Sequence, residues 1–387
     1  MAAAIPIYSN NDLYVPAFDV RVQGAKAADT VLHDVVSVTY KDSLEAFDSV
    51  DLTLNNWDDS RSGLATQFTY FVDDGAPHAN LFSFDRSKTV AVSLGYRAAK
   101  PATTGSAPKG VNLVTMLAGT VESIEPHYPA GGVPSLTVRL INPLKALKDK
   151  PNTHAYINKS TADIAREIAR NHGLDIVIKM HRDDDDGPQP YVLQNNQFDI
   201  VFLLQRARRM GYDVWLDGAK STLHFGPAST GANTTYKLGF HRTLMDFSPR
   251  LSVSDQVGWV TVTARNQIAK GKFTGTVTRA EVGLNADLDV FLTPELRMKG
   301  KTVENQPLHV NGQAKQLARE ILRNIMQTML TATVTAPGLP DIRAGRVVEI
   351  TDVGSRFAGP YLVTSSTHTI DDGGYKTSFT VRREKYS

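Results

Sequence analysis

Residues 358–382 read AGPYLVTSSTHTIDDGGYKTSFTVR, and residues 118–139 read AGTVESIEPHYPAGGVPSLTVR. Both stretches begin with Ala-Gly, carry a Gly-Gly pair just past the middle and end with the pattern Ser-x-Thr-Val-Arg. Alternation of apolar and polar residues at a period of two indicates β-strands that bury one face. The sequence therefore predicts two β-hairpins of similar length, related by an internal duplication.

Six glycines mark the starts and the turns of the two predicted hairpins: Gly119, Gly131, Gly132, Gly359, Gly373 and Gly374. Paired glycines suit a turn that needs positive φ, which other residues adopt at a cost. We therefore expect Gly119 and Gly359 to begin strands and the Gly-Gly pairs to form turns. A weaker similarity links residues 48–54 with residues 255–262. Chance similarity is the alternative, since such turns and strands are common.

The remaining sequence changes character twice. The first third shows the alternating β pattern, and from about residue 150 Ser160 and Asp163 predict a capping box ahead of an apolar helical repeat that stops at Gly173. A second helix is predicted from Asp199. A long helix interrupts the later β pattern, with an apolar residue at every fourth position from Leu317 to Met329 and with Ala314, Ala318 and Leu322 beside them. The predicted domains are a β domain at 1–147, an α/β insert at 148–230, and a second β domain at 231–387 with a long helix at 311–329.

The bulk composition excludes several classes of protein. The 387 residues contain no cysteine, so disulfides, thiolate metal sites and cysteine nucleophiles are excluded. The formal net charge is only +2, which gives no overall support for nucleic-acid binding. The first 14 residues do not resemble a secretory signal, and no run of about 18 apolar residues occurs. We expect the chain to be made and assembled in the cytoplasm, without membrane insertion.

Candidate chemical sites are few. The motifs His-Glu-x-x-His, Gly-x-Ser-x-Gly, the Walker loop and Gly-x-Gly-x-x-Gly are absent from the sequence. We expect a structural or interface role for His368, and the acids Glu122 and Glu125 should lie on opposite faces of one strand. The run Asp183–Asp186 lacks the alternating spacing of a calcium loop, so solvation is the expected role rather than cation binding. The sequence predicts no catalytic, cofactor-binding or metal-binding residue.

Two features suggest contacts with other molecules. Arg206, Arg208 and Arg209 end the second insert helix, where positive charge complements the helix dipole; docking to an acidic neighbouring subunit is the alternative. The loop 98–110 reads AAKPATTGSAPKG, and its length and composition fit either a mobile lid or a docking arm.

Short segments in a fixed order give the chain a family resemblance. They are Thr161–Ala165 with His172–Leu174, Gln194–Asp199, Arg206–Tyr212, Leu223–Phe225, Phe247–Leu251, Arg343–Gly345, Val348–Ile350, Arg356–Tyr361, Thr367–His368 and Gly374–Phe379. In this order and spacing the chain resembles the late control protein D family, the baseplate hubs of contractile phage tails. The chain is likewise similar to the hub part of type VI secretion spike proteins and of extracellular contractile injection systems.

This resemblance implies a mainly β fold with two barrels, each akin to the tail-tube protein, and a small α/β domain between them. It also implies a homotrimer in which three chains present six near-equivalent barrels, which would adapt a six-fold tube to a three-fold spike. The implied partners are the inner tube protein, a spike or tip protein, and wedge or LysM-type adaptor proteins. Because the sequence stops soon after the last strand pattern, we expect the spike to be a separate polypeptide.

Two other classes of function stay open from the sequence. A tail-associated cell-wall hydrolase would need a catalytic constellation, which the motifs do not provide. A carbohydrate-binding β protein would use Trp57, Trp215 and Trp259 as stacking platforms, but each lies in or beside a strand pattern, which favours core packing. The expected function is a structural baseplate hub, not an enzyme, without cofactor or nucleic-acid partner.

Overall fold

A computed structural model describes residues 15–44, 46–61, 66–85, 87–97, 111–180, 187–210, 212–217, 222–226, 234–265, 271–306 and 311–385. About half of this part of the chain is β-strand, and most of the strand pairs are antiparallel. None of the helices in these ranges is both long and apolar enough to cross a lipid bilayer. The predicted mainly β fold class is therefore confirmed.

The first part of the chain forms a β motif, called the first motif below. Its elements are β1 (Pro16–Val22), β2 (Ala25–Lys26), α1 (Asp29–Asp34), β3 (Val35–Ser43), β4 (Ser49–Asn55), β5 (Val90–Arg97), β6 (Val111–His127) and β7 (Ser135–Ile141). In β4, Val50, Leu52 and Leu54 are fully buried, whereas Asp51 and Thr53 point away from the core. The period-two pattern of the sequence thus sets which face of the sheet is apolar.

An α/β insert follows, with a core of its own. Its elements are β8 (Asn152–Lys159), α2 (Thr161–Asn171), β9 (Asp175–Ile178), β10 (Gln189–Gln197), α3 (Asp199–Arg209), β11 (Asp213–Asp217) and β12 (Thr222–Gly226). The capping box predicted at the start of α2 is confirmed: the N–H of Asp163 donates to Ser160 Oγ at 3.1 Å, and the N–H of Ser160 donates back to Asp163 Oδ2 at 3.3 Å. Gly173, at φ +66°, ends the helix as predicted.

The last part of the chain contains a second β motif, called the second motif below, and an insertion within it. In chain order the elements are β13 (Thr234–Gly239), β14 (Asp246–Leu251), β15 (Trp259–Arg265), β16 (Lys272–Thr278), α4 (Arg279–Val282), α5 (Pro294–Met298), β17 (Gly300–Gln306), α6 (Asn311–Gln327), β18 (Leu330–Pro337), β19 (Val347–Thr351), β20 (Gly359–Asp371) and β21 (Gly374–Arg383). The sequence did not predict that β15, β16 and β17 form a separate three-stranded sheet covered by α6.

Helix α6 covers this small sheet with its predicted apolar face, centred on the residues beside the four-residue repeat rather than on the repeat itself. Ala314, Ala318 and Leu322 are fully buried, whereas Leu317 and Ile321 are only partly buried at its flank. The buried face follows the small residues because the helix backbone lies almost on β16: a Cβ on Gly275 would lie 2.3 Å from the nitrogen of Lys315. Close approach of two backbones thus outweighs the larger side chains in orienting the helix.

The two motifs share one strand order. Strands run β3-β4-β7-β6-β5-β1 in the first motif and β14-β18-β21-β20-β19-β13 in the second. Both hairpins even contain a bulge at the same place, between Val121 and Ser123 in β6 and between Val363 and Ser365 in β20. One difference is the last strand, since β1 is antiparallel to β5 whereas β13 is parallel to β19. The duplication predicted from the two hairpins is therefore present in the strand order.

Two details of the predicted repeat are wrong. The weaker similarity between residues 48–54 and 255–262 does not reflect equivalence, because β4 corresponds to β18, whereas β15 belongs to the inserted sheet. Gly119 does not begin a strand but lies inside β6, at the point where that strand changes its partner from β5 to β7. A strand that changes partner has no break in its own sequence pattern, so periodicity could not locate this point. Closure of each motif into a barrel stays a prediction.

Candidate functional site: the junction between the two motifs

The two motifs are joined edge to edge in one continuous sheet. Residues Ser365–Ile370 of β20 pair with Val38–Ser43 of β3, antiparallel, with Thr367 opposite Lys41 and His368 opposite Tyr40. This pairing is called the junction below. It places the second half of β20 between β21 and β3, so that neither motif ends at a free edge here.

A buried carboxylate crosses the junction. Asp42 in β3 accepts hydrogen bonds from the backbone N–H of Ser366 at 3.0 Å, from the Ser366 hydroxyl, and from the N–H of Ala344 at 2.9 Å. Burial raises the pKa of Asp42, although these donors and the nearby Arg343 oppose the shift. Burial, reinforced by the charge of Asp42, also raises the pKa of the neighbouring Asp48 well above its ordinary value.

His368 is the second buried polar group at the junction. Its Nε2 lies 2.9 Å from the carbonyl oxygen of Ile342, and its Nδ1 lies 3.1 Å from the hydroxyls of both Tyr375 and Thr377. A carbonyl only accepts, so we assign the hydrogen to Nε2 and leave Nδ1 as acceptor in a neutral ring. Burial lowers the pKa of His368 to about 3. The side chain therefore connects three segments of the second motif as an uncharged group.

Asp42, Ser366 and His368 include the residue types of a hydrolytic triad, but their geometry is different. The Ser366 hydroxyl donates to Asp42 directly, and His368 Nε2, 3.1 Å from that hydroxyl, is already paired with a carbonyl. In a triad the histidine lies between the serine and the carboxylate. Ser366 is 2% exposed and His368 is 0% exposed, so no substrate reaches the hydroxyl in this structure. The cluster links strands.

Arg343 adds a third connection across the junction. Its Nη2 donates to the carbonyl oxygen of Thr115 in β6 at 2.7 Å, and its guanidinium lies over the Tyr40 ring, 5.6 Å from the centroid. The segment before β19 is thus held against two strands of the first motif. Sequence reasoning missed the roles of Arg343 and Asp42, because their partners lie more than 200 and 300 residues away along the chain.

None of the three glycines predicted for the first hairpin has positive φ, and Gly119 is required for a different reason, a close approach of two strands. A Cβ on Gly119 would lie 2.2 Å from the carbonyl oxygen of Ile141, so β6 and β7 come too close there for any side chain. Gly131 and Gly132 lie in the connection between the two strands, as predicted, but neither has positive φ. The connection spans seven residues between β6 and β7, and a longer loop turns without the left-handed conformation that a tight turn requires.

The glycines of the second hairpin agree with the prediction only in part. Gly374 has φ +101° and lies opposite Asp371 in the ladder, which closes a tight turn. Gly373 does not have positive φ; its N–H donates to Asp371 Oδ1 at 2.8 Å. Gly359 begins β20, as predicted, at φ +137°. Only one residue of this Gly-Gly pair therefore needs the conformational freedom of glycine.

The three arginines of α3 do not form one surface. Arg206 is buried and donates to Thr161 Oγ1 at 2.8 Å, so it joins the two helices of the insert. Arg208 is exposed and lines a groove of about 780 Å³ between α3, α6 and the second motif, whereas Arg209 is exposed beside β10. The arginines Arg250, Arg323 and Arg382 also line this groove. The predicted docking role thus stays a prediction for Arg208 and Arg209, and Arg206 has an internal contact.

The two acids considered for acid–base chemistry have separate partners. Glu122 occupies the bulge of β6 and pairs with Lys145 at 2.9 Å. Glu125 accepts a hydrogen bond from the Ser123 hydroxyl at 2.9 Å and is otherwise exposed. Among the described residues no cluster of three or more histidine, aspartate or glutamate side chains is arranged to hold a metal ion.

Trp57 and Trp259 pack against neighbouring parts of the protein. Trp57 meets Phe68 edge to face at 5.4 Å, and its Nε1 donates to Asp59 at 2.7 Å. The Trp259 ring covers Gly300, where a Cβ would lie 2.3 Å from Nε1. The Trp215 side chain, the run Asp183–Asp186 and the loop 98–110 lie outside the described residues, so predictions about them stay open.

Solved structures of tail proteins share this fold over nearly the whole chain. The 43 kDa tail protein of prophage MuSo2 from Shewanella oneidensis superimposes with a TM-score of 0.67 at 15% identity, over 95% of this chain and 98% of that one. A tail protein from Neisseria meningitidis MC58 gives 0.66 at 13% identity, over 96% and 97%. The E. coli c3393 protein, described as a type VI secretion component similar to the T4 tail proteins gp27 and gp5, gives 0.57 at 13% identity, over 94% and 76%.

The duplicated motif, its junction and these neighbours define the class: the chain has the fold of phage tail proteins, which confirms, at the level of the fold, the resemblance predicted from the sequence. At the level of sequence, a family model described as the Alg8 N-terminal domain matches residues 133–372, well over half of the chain. The chain belongs to this family. No curated protein matches the chain in sequence.

Proposed function

We propose that the chain is the structural hub of the baseplate in a contractile phage-tail-like particle. In this proposal three copies surround the particle axis and join a six-fold inner tube to a three-fold spike. The fold shared with tail proteins supports a place in such a particle. The neighbour described as a type VI secretion component supports a role near tube and spike proteins.

The observation that carries the proposal is the duplication of the strand order within one chain. A ring of six tube subunits needs six matching surfaces, and three chains with one motif each would leave half of them unpaired. Two motifs per chain, joined side by side through the junction, supply six near-equivalent surfaces from three chains. The insert and the inserted sheet, which occur once per chain, would present three-fold symmetry instead.

The proposed partners follow from this geometry. The tube protein would contact both motifs, a spike or tip protein would contact features present once per chain, and wedge or LysM-type adaptors would bind at the periphery. The role is geometric and requires no reaction, so we propose that the chain is not an enzyme.

The test is the mass and symmetry of the purified protein. Light scattering should give three times the chain mass of 42.3 kDa, and a cryo-EM map of the trimer should show six motifs at roughly 60° intervals, the two kinds alternating. A protein that stays monomeric at tens of micromolar, or a map without a three-fold axis, would contradict the hub.

A further inference from the structure

The chain has two free sheet edges that match the two sides of its own junction. In β6, residues 120–127 pair with β7, and no strand of the described chain pairs with their other edge. In β14, one edge pairs with β18, and the other edge likewise has no partner strand in the described ranges. Strand β6 is the equivalent of β20, and β14 is the equivalent of β3.

We propose that these edges meet between copies: β6 of one copy lies against β14 of the next, in the register of the internal junction. The proposal rests on the trimeric function proposed above and names the surface through which that trimer closes. Each motif would then contact the next in the same way, within a chain through β20 and β3, and between chains through β6 and β14.

The register follows from the equivalence of the two motifs. The common bulge aligns Thr367 in β20 with Glu125 in β6. The ladders then give the equivalent of Lys41. In the first motif Lys41 lies opposite Ser49, which lies opposite Ile141. In the second motif Arg250 lies opposite Thr331, which lies opposite Arg382, so Arg250 is the equivalent of Lys41. Since Lys41 lies opposite Thr367 in the junction, Arg250 would lie opposite Glu125 of the neighbouring copy.

The charges of this pair are complementary. Both side chains are exposed in the single chain. Arg250 has no carboxylate partner among the described residues, and Glu125 contacts the Ser123 hydroxyl. Directly opposed residues in an antiparallel ladder project to the same face with their Cβ atoms about 5 Å apart, where opposite charges attract and like charges repel. The copy-to-copy contact would therefore gain an ion pair that the internal junction lacks.

Two prolines limit the backbone part of this contact. The equivalence that pairs Glu125 with Arg250 also places Pro126 opposite Pro249, where the internal junction has His368 opposite Tyr40. Proline has no N–H, so this position adds no ladder hydrogen bond between copies. Proline on an edge strand also discourages uncontrolled sheet extension. The contact between copies is thus weaker in hydrogen bonds than the junction, and the charge pair sets the register.

A disulfide test uses the absence of native cysteine. In the double variant E125C/R250C, mild oxidation should link copies into covalent dimers and trimers on a denaturing gel, because opposed ladder positions match the geometry of a disulfide. The control E125C/S248C moves one cysteine two residues along the same face of β14, to a diagonal distance of about 7–8 Å, and should link far less.

A charge exchange provides the second test. E125R alone should weaken trimer formation about tenfold by placing two arginines opposite each other, and E125R/R250E should restore it. Both residues are exposed, so circular dichroism should be unchanged. A wild-type trimer that shows neither the E125C/R250C link nor rescue by the exchange overturns the proposed surface and leaves the hub standing. A chain that never trimerises overturns both.

Discussion

At the scale of single residues, His368 shows how this fold uses a titratable group without its charge. Its ring is fully buried, its Nε2 faces a carbonyl, and two hydroxyls face its Nδ1. A second proton, on Nδ1, would place a positive charge in a fully buried site, where the loss of hydration disfavours the charged ring. His368 is therefore neutral in the folded protein, and protonation of its ring destabilises the folded state.

We predict that this histidine makes stability depend on pH in a defined direction. Its pKa is about 3 in the folded protein against 6.5 when exposed, so the unfolded chain binds the proton first as the pH falls. The free energy of unfolding should lose about 1.4 kcal/mol per pH unit from this group between those two values. H368Q should cost about 2 kcal/mol at pH 7.5 through lost hydrogen bonds, and this cost should shrink as the pH falls below 6.5.

The measurement is urea unfolding of wild type and H368Q from pH 7.5 to 4.5. The raised pKa values of Asp42 and Asp48 favour the folded state as the pH falls, but both proteins contain these acids, so the difference between the proteins isolates His368. His154→Gln, at a half-exposed position in β8, is the control and should stay within about 0.5 kcal/mol of wild type. A difference that does not change with pH would show that His368 is charged or exposed in the folded protein.

At the scale of elements, the two hairpins differ in why they need glycine. We predict that G119A destabilises the protein by about 2–3 kcal/mol, because its Cβ would overlap the Ile141 carbonyl and force β6 and β7 apart. G131A, in the same hairpin, meets no atom within 4 Å and has no positive φ, so it should change stability by less than about 0.5 kcal/mol. Thermal and urea unfolding of both variants test this. Equal stability of the two would refute the close approach.

Local elements were predictable from the sequence because their causes are local. The start of α2 follows from Ser160 and Asp163, and its end from Gly173, all within a few residues of the helix. The duplication was visible because both hairpins contain a Gly-Gly pair and end in Ser-x-Thr-Val-Arg. The strand pairing offsets these last residues by two positions, since Ile141, and not Arg139, is the equivalent of Arg382. The inserted sheet of β15, β16 and β17 was not, since any strand pattern after residue 231 reads equally well as part of a barrel.

The junction could not be predicted for a different reason. The pairing of Thr367 with Lys41, and the hydrogen bonds of Asp42, join parts of the chain more than 300 residues apart. A lone aspartate in an alternating strand gives no sign of whether its face meets solvent or another strand. The equivalent bulges at Val121 and Val363 could have strengthened the repeat, but a bulge becomes visible only once the partner strands are known.

At the scale of the whole molecule, the junction should make the two motifs one cooperative unit. They share a continuous ladder, and Tyr375 from the second motif packs in the first motif's core, 5.5 Å from Tyr96. The insert has its own core and lies outside this sheet. We therefore predict that native-state hydrogen exchange finds one opening free energy for the strands of both motifs, and a separate opening for α2 and α3.

Substitutions at two buried residues would test whether the two motifs open together and the insert opens separately. V38A, in β3 at the junction, should accelerate exchange in strands of both motifs, because Val38 is fully buried and lies opposite Ile370 of β20. L203A, equally buried in α3, should accelerate exchange in the insert and leave the motif strands slow. If V38A affected only the first motif, the two halves would fold independently, and the rigid side-by-side placement that a six-fold ring requires would need another source than the shared sheet.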